Sequence, residues 1–424
     1  MAANSFQSFI QRITGDVITP EHSSYIASIA RWATNAQRTA KAVVYAKNTN
    51  DIVAAIAFAK ENKLLFAICG GGHNASGASS AEDGIVVDLS RYLNGVRINA
   101  EERLGYAGGG ALWRNVDEEA IKYGLAAVGG TVNHGLTVGG GYGWLSGQYG
   151  LALDNLQQAT VVTADGSVRT ASENENSDLF WAIRGGGSNF GVVAEFVFRL
   201  HPQRRKIFAG TALYPLDKVE ALIETTKRWW PNIKEHEGMF QAAFSDPEGN
   251  TFMQAVFFYN GSEDEGRKNF KAFFDIGPLT DTTNEIPYEE MNAIQNHILD
   301  HGKGYYVKGF AQKEPDYAIA KAGEFSLTCL YEYFPLEKIN SVPVASTAFR
   351  RMASQNILGM DKSQKARELM NEVFNTIISP AQLVPEQDKV GYVNYVATGA
   401  ERQLERAHQS FGPNLPRLRE VKKK

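Results

Sequence analysis

The sequence predicts an α+β protein of two domains, and three observations carry that expectation. The chain has 424 residues, 43% of them hydrophobic, enough for two packed cores. Of its 40 glycines, 26 fall in residues 1–200, in clusters that require close backbone approaches. Beyond residue 200 those clusters stop. Aromatic-rich strands such as Phe252–Tyr259 then alternate with helical stretches, which predicts an antiparallel sheet covered by helices on one face.

Ala40–Ala46 is expected as a strand, and Asn50 as the cap of a helix from Asp51 to about Asn62 whose apolar stripe is Ile52, Ala55, Ile56 and Ala59. A second strand covers Leu64–Cys69. A third, Ile85–Leu89, follows the run GGGHNASGASSAEDG. A glycine-rich turn directly after a strand offers backbone N–H groups to a phosphate. Gly70, Gly72 and Ala75, with Asp88 about 20 residues on, match the spacing of a dinucleotide fingerprint. That fingerprint has to open a helix, and Asn74–Gly84 has no helical period, so a nicotinamide-dependent dehydrogenase is the weaker alternative.

Residues 103–110 read as a strand ending in glycines, and Leu112–Tyr123 as an amphipathic helix with Leu112, Val116, Ala120 and Tyr123 in register. Residues 126–150 interleave nine glycines with Val132, Leu136, Val138, Trp144 and Leu145, which predicts a loop wrapped on something rather than a linker. Ala159–Thr163 and Ser167–Ala171 flank the hairpin turn Ala164-Asp165-Gly166. Ser177–Ala182 reads as a short helix, and the run after Ile183 ends in a strand. Further helices are expected at Leu216–Trp230, Glu263–Phe274, Ser363–Ile378 and Glu401–Gln409, with a strand at Lys389–Gly399. Most aromatics of the second half are core, and a few are left to line a pocket.

Composition excludes several classes. A net charge of −4 and a pI of about 6.1 argue against nucleic acid as a partner, and the terminal Lys422–Lys424 reads as a solvated end. No apolar run reaches membrane-spanning length and the start lacks a secretory signal, so no membrane partner and a cytoplasmic location are expected. Two cysteines, Cys69 and Cys329, exclude a disulfide framework and a cysteine-rich metal site, leaving open one bridge between them; no metal is expected.

Four motifs carry a resemblance: CGGGHNASG (69–77), GGGYGWLSGQYGLALDN (139–155), ADGSVRTASENENSDLFWAIRGGGSNFGVV (164–193), and GYVNY (391–395) with FGPNLPRLREVK (411–422). In this order the chain resembles the FAD-linked oxidases of the vanillyl-alcohol oxidase / p-cresol methylhydroxylase (PCMH) superfamily, within them the berberine-bridge-enzyme-like group. The resemblance implies a FAD-binding PCMH-type domain over 1–203, a substrate-binding domain over 204–385 and a segment, 386–424, that returns to the FAD domain. It implies FAD joined through an 8α bond to His73, for which a nucleophilic imidazole nitrogen is needed. Many relatives add a cysteinyl bond just after a Gly-Thr pair. Here Val132 follows Gly130-Thr131, so a single link is expected, as in 6-hydroxynicotine-oxidase-like members. The following loop is about four residues shorter than in relatives.

The implied cofactor contacts are Gly70, Gly71, Gly72, Asn74 and Gly77 around His73; Gly130, Thr131, Val132, Gly135 and Thr137; Gly139, Gly140, Gly141, Tyr142 and Gly143 on the adenine and ribityl side; and the main chain of Gly191, Val192 and Val193. The family's Tyr-x-Asn-Tyr matches Tyr392, Val393, Asn394 and Tyr395, with Ala397 where relatives carry an acid. In a strand Tyr392 and Asn394 share one face and Tyr395 takes the other. Tyr395 is the expected substrate-facing base, Asn394 or Tyr392 a flavin contact, and His134 a second candidate base. A phenol with pKa near 10 acts as a base at neutral pH only beside positive charge or hydrogen-bond donors, for which Lys303, Lys308 and Arg351 are candidates. The implied activity is hydride transfer to flavin N5 from a C–H next to an alcohol or amine of a small aromatic, alkaloid-like or secondary-metabolite substrate. O₂ is then reduced to H₂O₂. A carbohydrate oxidase, a flavin dehydrogenase and an inert flavin-binding protein are the alternatives.

Overall fold

The computed structural model describes residues 3–133, 138–245, 250–296, 301–312, 327–351, 355–361, 407–408 and 410–424. The expected helix 363–378 and strand 389–399 lie outside the described residues, as do His134, Gly135, Thr137, Tyr392, Asn394 and Tyr395.

Strands β1 (Asp16–Ile18), β2 (Ala42–Tyr45), β3 (Phe66–Cys69) and β4 (Ile85–Asp88) form the first sheet, ordered β1-β2-β4-β3. β2, β4 and β3 run parallel and β1 antiparallel. Every residue of β2 and β4 is buried, as parallel strands covered on both faces require. The helix Thr49–Glu61 connects β2 to β3. Its cap is Asn48, whose Oδ1 accepts from the backbone of Asn50 and Asp51 at 2.9 and 3.1 Å, rather than the expected Asn50. The reason is backbone conformation: Asn48 is extended, as a cap must be, while Asn50 is already inside the helix. Fully buried Asp51 accepts from the backbone N–H of Thr14, Gly15 and Lys47 at 2.8, 3.1 and 2.8 Å, tying the N-terminal segment to this helix. A side chain at Gly15 would stand 1.9 Å from the Tyr45 carbonyl.

The second sheet contains β5 (Val96–Asn99), β6 (Leu104–Gly108), β8 (Leu156–Val162), β9 (Val168–Ser172) and β10 (Val192–Arg199), in the antiparallel order β5-β6-β10-β8-β9. β7 (Leu125–Ala126) pairs instead with β11 (His201–Pro202). The β8–β9 turn is built by Asp165, which accepts from Thr163 Oγ1 and from the backbone and hydroxyl of Ser167; these bonds hold its carboxyl well below the usual range. The expected helix 112–123 is α-helical only over Trp113–Ala120. It tightens to a 3₁₀ turn at Ile121–Tyr123, closed by Gly124 at φ +67°, which swings Tyr123 out to 52% exposure. The buried stripe is Trp113, Val116, Asp117 and Ala120.

The second half is one large antiparallel sheet of β12 (Lys206–Pro215), β13 (Glu237–Ser245), β14 (Thr251–Tyr259), β15 (Thr280–Asp281), β16 (Asn284–Pro287), β17 (Tyr306–Gln312), β18 (Leu327–Tyr333) and β19 (Gln355–Asp361). Its order is β15-β12-β14-β13-β18-β19-β17, with β16 also on β12. One face, with Met239, Phe257, Tyr331 and Tyr333, packs on the helix Val219–Trp229 and on Phe270 and Phe273. The expected helix Glu263–Phe274 breaks at Phe270 into two pieces. The opposite face, with Phe240, Ala242, Val256, Val307 and Leu330, packs against Trp32, Tyr142, Trp144 and Leu151 of the first half. The two halves therefore share one core, and the surface between them is aromatic. Near the end of the chain, Leu415–Lys423 packs on Ser177–Ile183, with Arg417 4.0 Å above the Trp181 ring. Among the described residues no helix is long and apolar enough to cross a membrane, and no cluster of His, Cys, Asp or Glu could hold a metal ion.

Candidate active site

A cavity of about 370 Å³ opens between the first and second sheets. Its wall includes Gly70–His73 after β3, Gly108 and Gly109 at the end of β6, Gly139, Gly185–Gly187, Gly191 and Val193. Glycine is required where two backbones abut: a Cβ at Gly109 would stand 2.0 Å from the Val193 carbonyl, and one at Gly185 2.2 Å from the Phe349 nitrogen. Among the described residues no Asp or Glu lines the cavity, so its wall is main chain and neutral side chains. Such a wall suits an anionic diphosphate, which backbone dipoles recognise without charge repulsion. After Gly72 the chain enters turns, not a helix. Asp88 spends its carboxylate on Ser90, accepting from its N and Oγ at 2.9 and 2.6 Å, so the dinucleotide fingerprint is a coincidence of spacing.

His73 stands where the cavity meets the second half. Its ring lies 4.2 Å from Trp32, and Trp32 stacks at 4.1 Å and 3° on Tyr305, which leads into β17. Asn35 clasps this stack: its Oδ1 accepts from Tyr305 N at 2.7 Å, and its Nδ2 donates to the carbonyl of Ala75, two residues past His73, at 3.0 Å. Thr34 and Gly302 donate to the carbonyls of Lys303 and Trp32 at 2.9 and 3.1 Å. A strip of the second half is thus stitched directly beside His73.

The expected cofactor residues separate into groups. Gly70, Gly71, Gly72, His73, Asn74, Gly139, Gly191 and Val193 line the cavity. The Asn74 carboxamide folds the turn, accepting from Ser76 and Ala78, and Gly77 closes it at φ +89°. Gly130 abuts the Trp113 indole, and Thr131 is buried beside it. Gly140 and Gly141 accept from Leu153 and Ala152, while Gly143 passes so close to Gly129 that a Cβ would meet its carbonyl at 1.9 Å. Tyr142 belongs to the shared core beside Phe334 and Phe349, and Val192 to the core of the first sheet. Of the cations considered beside Tyr395, Arg351 is committed: it forms a buried fork on Asp154 and donates to the Ile339 carbonyl at 2.8 Å. Cys69 is a free buried thiol, pushed up to about 12, chiefly by burial.

Sequence reasoning misses Glu332. It lies on β18 opposite Phe240 and alternates with Tyr331 and Tyr333, so it shares the face of Leu330 that looks toward the first half. It is 4% exposed, and burial alone pushes its carboxyl up to about 8. Among the described residues none donates a hydrogen bond to it.

A family model for an FAD binding domain matches residues 40–172. The FAD-linked oxidoreductase pgmH of Aspergillus terreus is 32% identical over 97% of this chain and 91% of its own length. The (R)-6-hydroxynicotine oxidase of Paenarthrobacter nicotinovorans is 38% identical over 47% of this chain and 44% of its own. Among solved structures, 6-hydroxy-D-nicotine oxidase from Arthrobacter nicotinovorans superposes with a TM-score of 0.85 at 24% identity, covering 97% of this chain and 95% of that one. Xylooligosaccharide oxidase from Myceliophthora thermophila C1 superposes at 0.82 with 20% identity, covering 99% and 96%. Both share the fold of this chain. The glycine-walled cavity and these relatives define an FAD-dependent oxidoreductase. The chain belongs to the FAD-linked oxidoreductases, and its fold is that of the berberine-bridge-enzyme-like structures.

Proposed function

We propose that the protein is an oxidase of a small aromatic or alkaloid-like amine, with FAD held through a single covalent link to His73. The observation that carries this reading is the stack His73–Trp32–Tyr305, which puts the imidazole at the mouth of the glycine-walled cavity and at the edge of the aromatic face of the large sheet. When bound, FAD supplies the acceptor for the substrate's hydride and passes the electrons to O₂ as H₂O₂. Residues 1–203 bind the cofactor, 204–385 supply the substrate face, and 386–424 return the chain to the first domain.

The chain's own groups then have distinct tasks. Gly70–Gly72 present backbone to the diphosphate, and Gly139, Gly191 and Val193 complete the wall. The Trp32–Tyr305 stack beside His73 offers an aromatic edge that orients the substrate ring. Glu332, neutral in its buried setting, ionises against an ammonium group and anchors it. Tyr395 takes the N–H or O–H proton as the neighbouring C–H is broken. The hydroxynicotine oxidase among the relatives supports a nitrogen-containing substrate. Tyr395→Phe is expected to slow anaerobic flavin reduction by about 10²–10⁴-fold. An unchanged rate in stopped-flow absorbance would remove Tyr395 from the reaction.

A further inference from the structure

The helix Trp113–Ala120 meets the 3₁₀ helix Tyr288–Ala293 of the second half at a buried polar seam that the reading above does not use. Asp117, 1% exposed, lies one turn beyond Trp113, and the Trp113 ring lines the cofactor cavity. Asn292 Nδ2 donates to Asp117 Oδ2 at 2.9 Å. The second oxygens of both groups, Asp117 Oδ1 and Asn292 Oδ1, are buried, and neither meets a donor among the described residues. With an ionised carboxylate both are acceptors with nothing to accept, and each bears the full desolvation penalty. A single proton on Asp117 satisfies both at once, because a carboxylic acid and a primary amide joined on one edge are complementary on the other. A second rung runs alongside: Trp113 N donates to the Asn133 carbonyl at 3.0 Å, and Asn133 Nδ2 to Asn296 Oδ1 at 3.4 Å.

We infer that Asp117 keeps its proton in the folded protein and closes a two-hydrogen-bond acid–amide ring with Asn292, a latch that positions Trp113 against the cofactor cavity across the seam between the two halves.

The surroundings agree. Burial pushes the Asp117 carboxyl up to about 8 against the opposing bond from Asn292, and the charges acting on it, Glu289 and Glu118, are both anionic. Tyr288 beside it is raised well above its ordinary value, chiefly by burial. The cations of the adjoining elements are engaged at the surface: Arg114 with Glu118 at 3.9 Å, Lys122 with Glu119, and Arg97 over the Tyr106 ring at 3.6 Å. Tyr123 points to solvent.

Asparagine at 117 has the shape of the protonated acid and can make both bonds at every pH, so D117N separates a proton latch from a buried anion. The folded acid holds its proton above the ordinary value of about 3.9, so the wild type loses stability as pH rises from about 4 to about 8 and is flat beyond. Thermal unfolding of the FAD-loaded protein at pH values between about 5 and 8.5 is expected to show a pH dependence shallower by one proton in D117N, with a midpoint at pH 8 at or above that of the wild type. Visible circular dichroism of the flavin is expected to change through about pH 8 in the wild type and to stay constant in D117N. A wild-type pH dependence in D117N, or a lower midpoint at pH 8, would overturn the latch. Infrared spectra of wild-type protein carrying ¹³C-carboxyl aspartate give an answer even if D117N does not fold. Of the aspartates with a resolved shift, Asp16, Asp165, Asp178 and Asp281 are lowered and Asp117 is raised, so a labelled protonated-carboxyl band at pH 7 supports the latch and its absence refutes it.

Discussion

Glu332→Gln is expected to lower kcat/KM for a cationic amine substrate by about 10²–10⁴-fold, while a neutral alcohol analogue of the same shape loses far less. The magnitude follows from the environment. A buried ion pair that loses one partner leaves the other charge stranded, at about 3–5 kcal/mol. Glu332 faces apolar and aromatic neighbours, and its raised pKa comes from burial alone, so an incoming ammonium supplies the charge the site lacks. The free protein should respond in the opposite direction. Its carboxyl is raised in the folded state, so the stability it contributes is complete below about pH 4.3 and lost as pH rises toward about 8. Glutamine carries no such dependence, and the variant should be more stable than wild type at pH 8. Equal losses for the amine and the alcohol in steady-state kinetics would show that Glu332 does not read charge.

Arg351→Met is expected to destabilise the protein by about 3–5 kcal/mol in urea unfolding, well beyond the ~1 kcal/mol of an exposed pair. The side chains of Arg351 and Asp154 are only 3% and 8% exposed, and the guanidinium grips both carboxylate oxygens. Without it, Asp154 keeps the Leu151 N–H at 2.9 Å and little else. Since Asp154 belongs to the first half and Arg351 lies beyond β18, the loss falls on the joint between the two halves. Asp154→Leu in the same chain removes the stranded charge and should recover part of the loss. A cost below about 1 kcal/mol for Arg351→Met would mean that the fork carries no net stability.

The legible parts of the sequence were those in which local chemistry decides local structure. The Ala164-Asp165-Gly166 turn is made by the Asp165 side chain itself, and the alternation in Phe252–Tyr259 is that of a strand buried on both faces. Glycine clusters announced the cavity because only glycine permits such approaches as that of Gly109 to Val193. Glu332 was hidden because Leu330, Tyr331 and Tyr333 are apolar on both faces of β18, so nothing local says which face meets the first half. The Trp32–Tyr305 stack joins residues far apart in the chain, and no local pattern encodes it. Asp117 did leave a signal: with Trp113, Val116 and Ala120 it completes a helical stripe, where an acid has to be buried.

The most direct test of the central claim is the absorbance spectrum of the purified protein, followed by acid precipitation. A flavin linked to His73 predicts yellow colour that stays with the precipitated chain and passes to the supernatant in His73→Ala. Colour in the wild-type supernatant would contradict the covalent link, and colour that stays with the chain in His73→Ala would place the link on another residue.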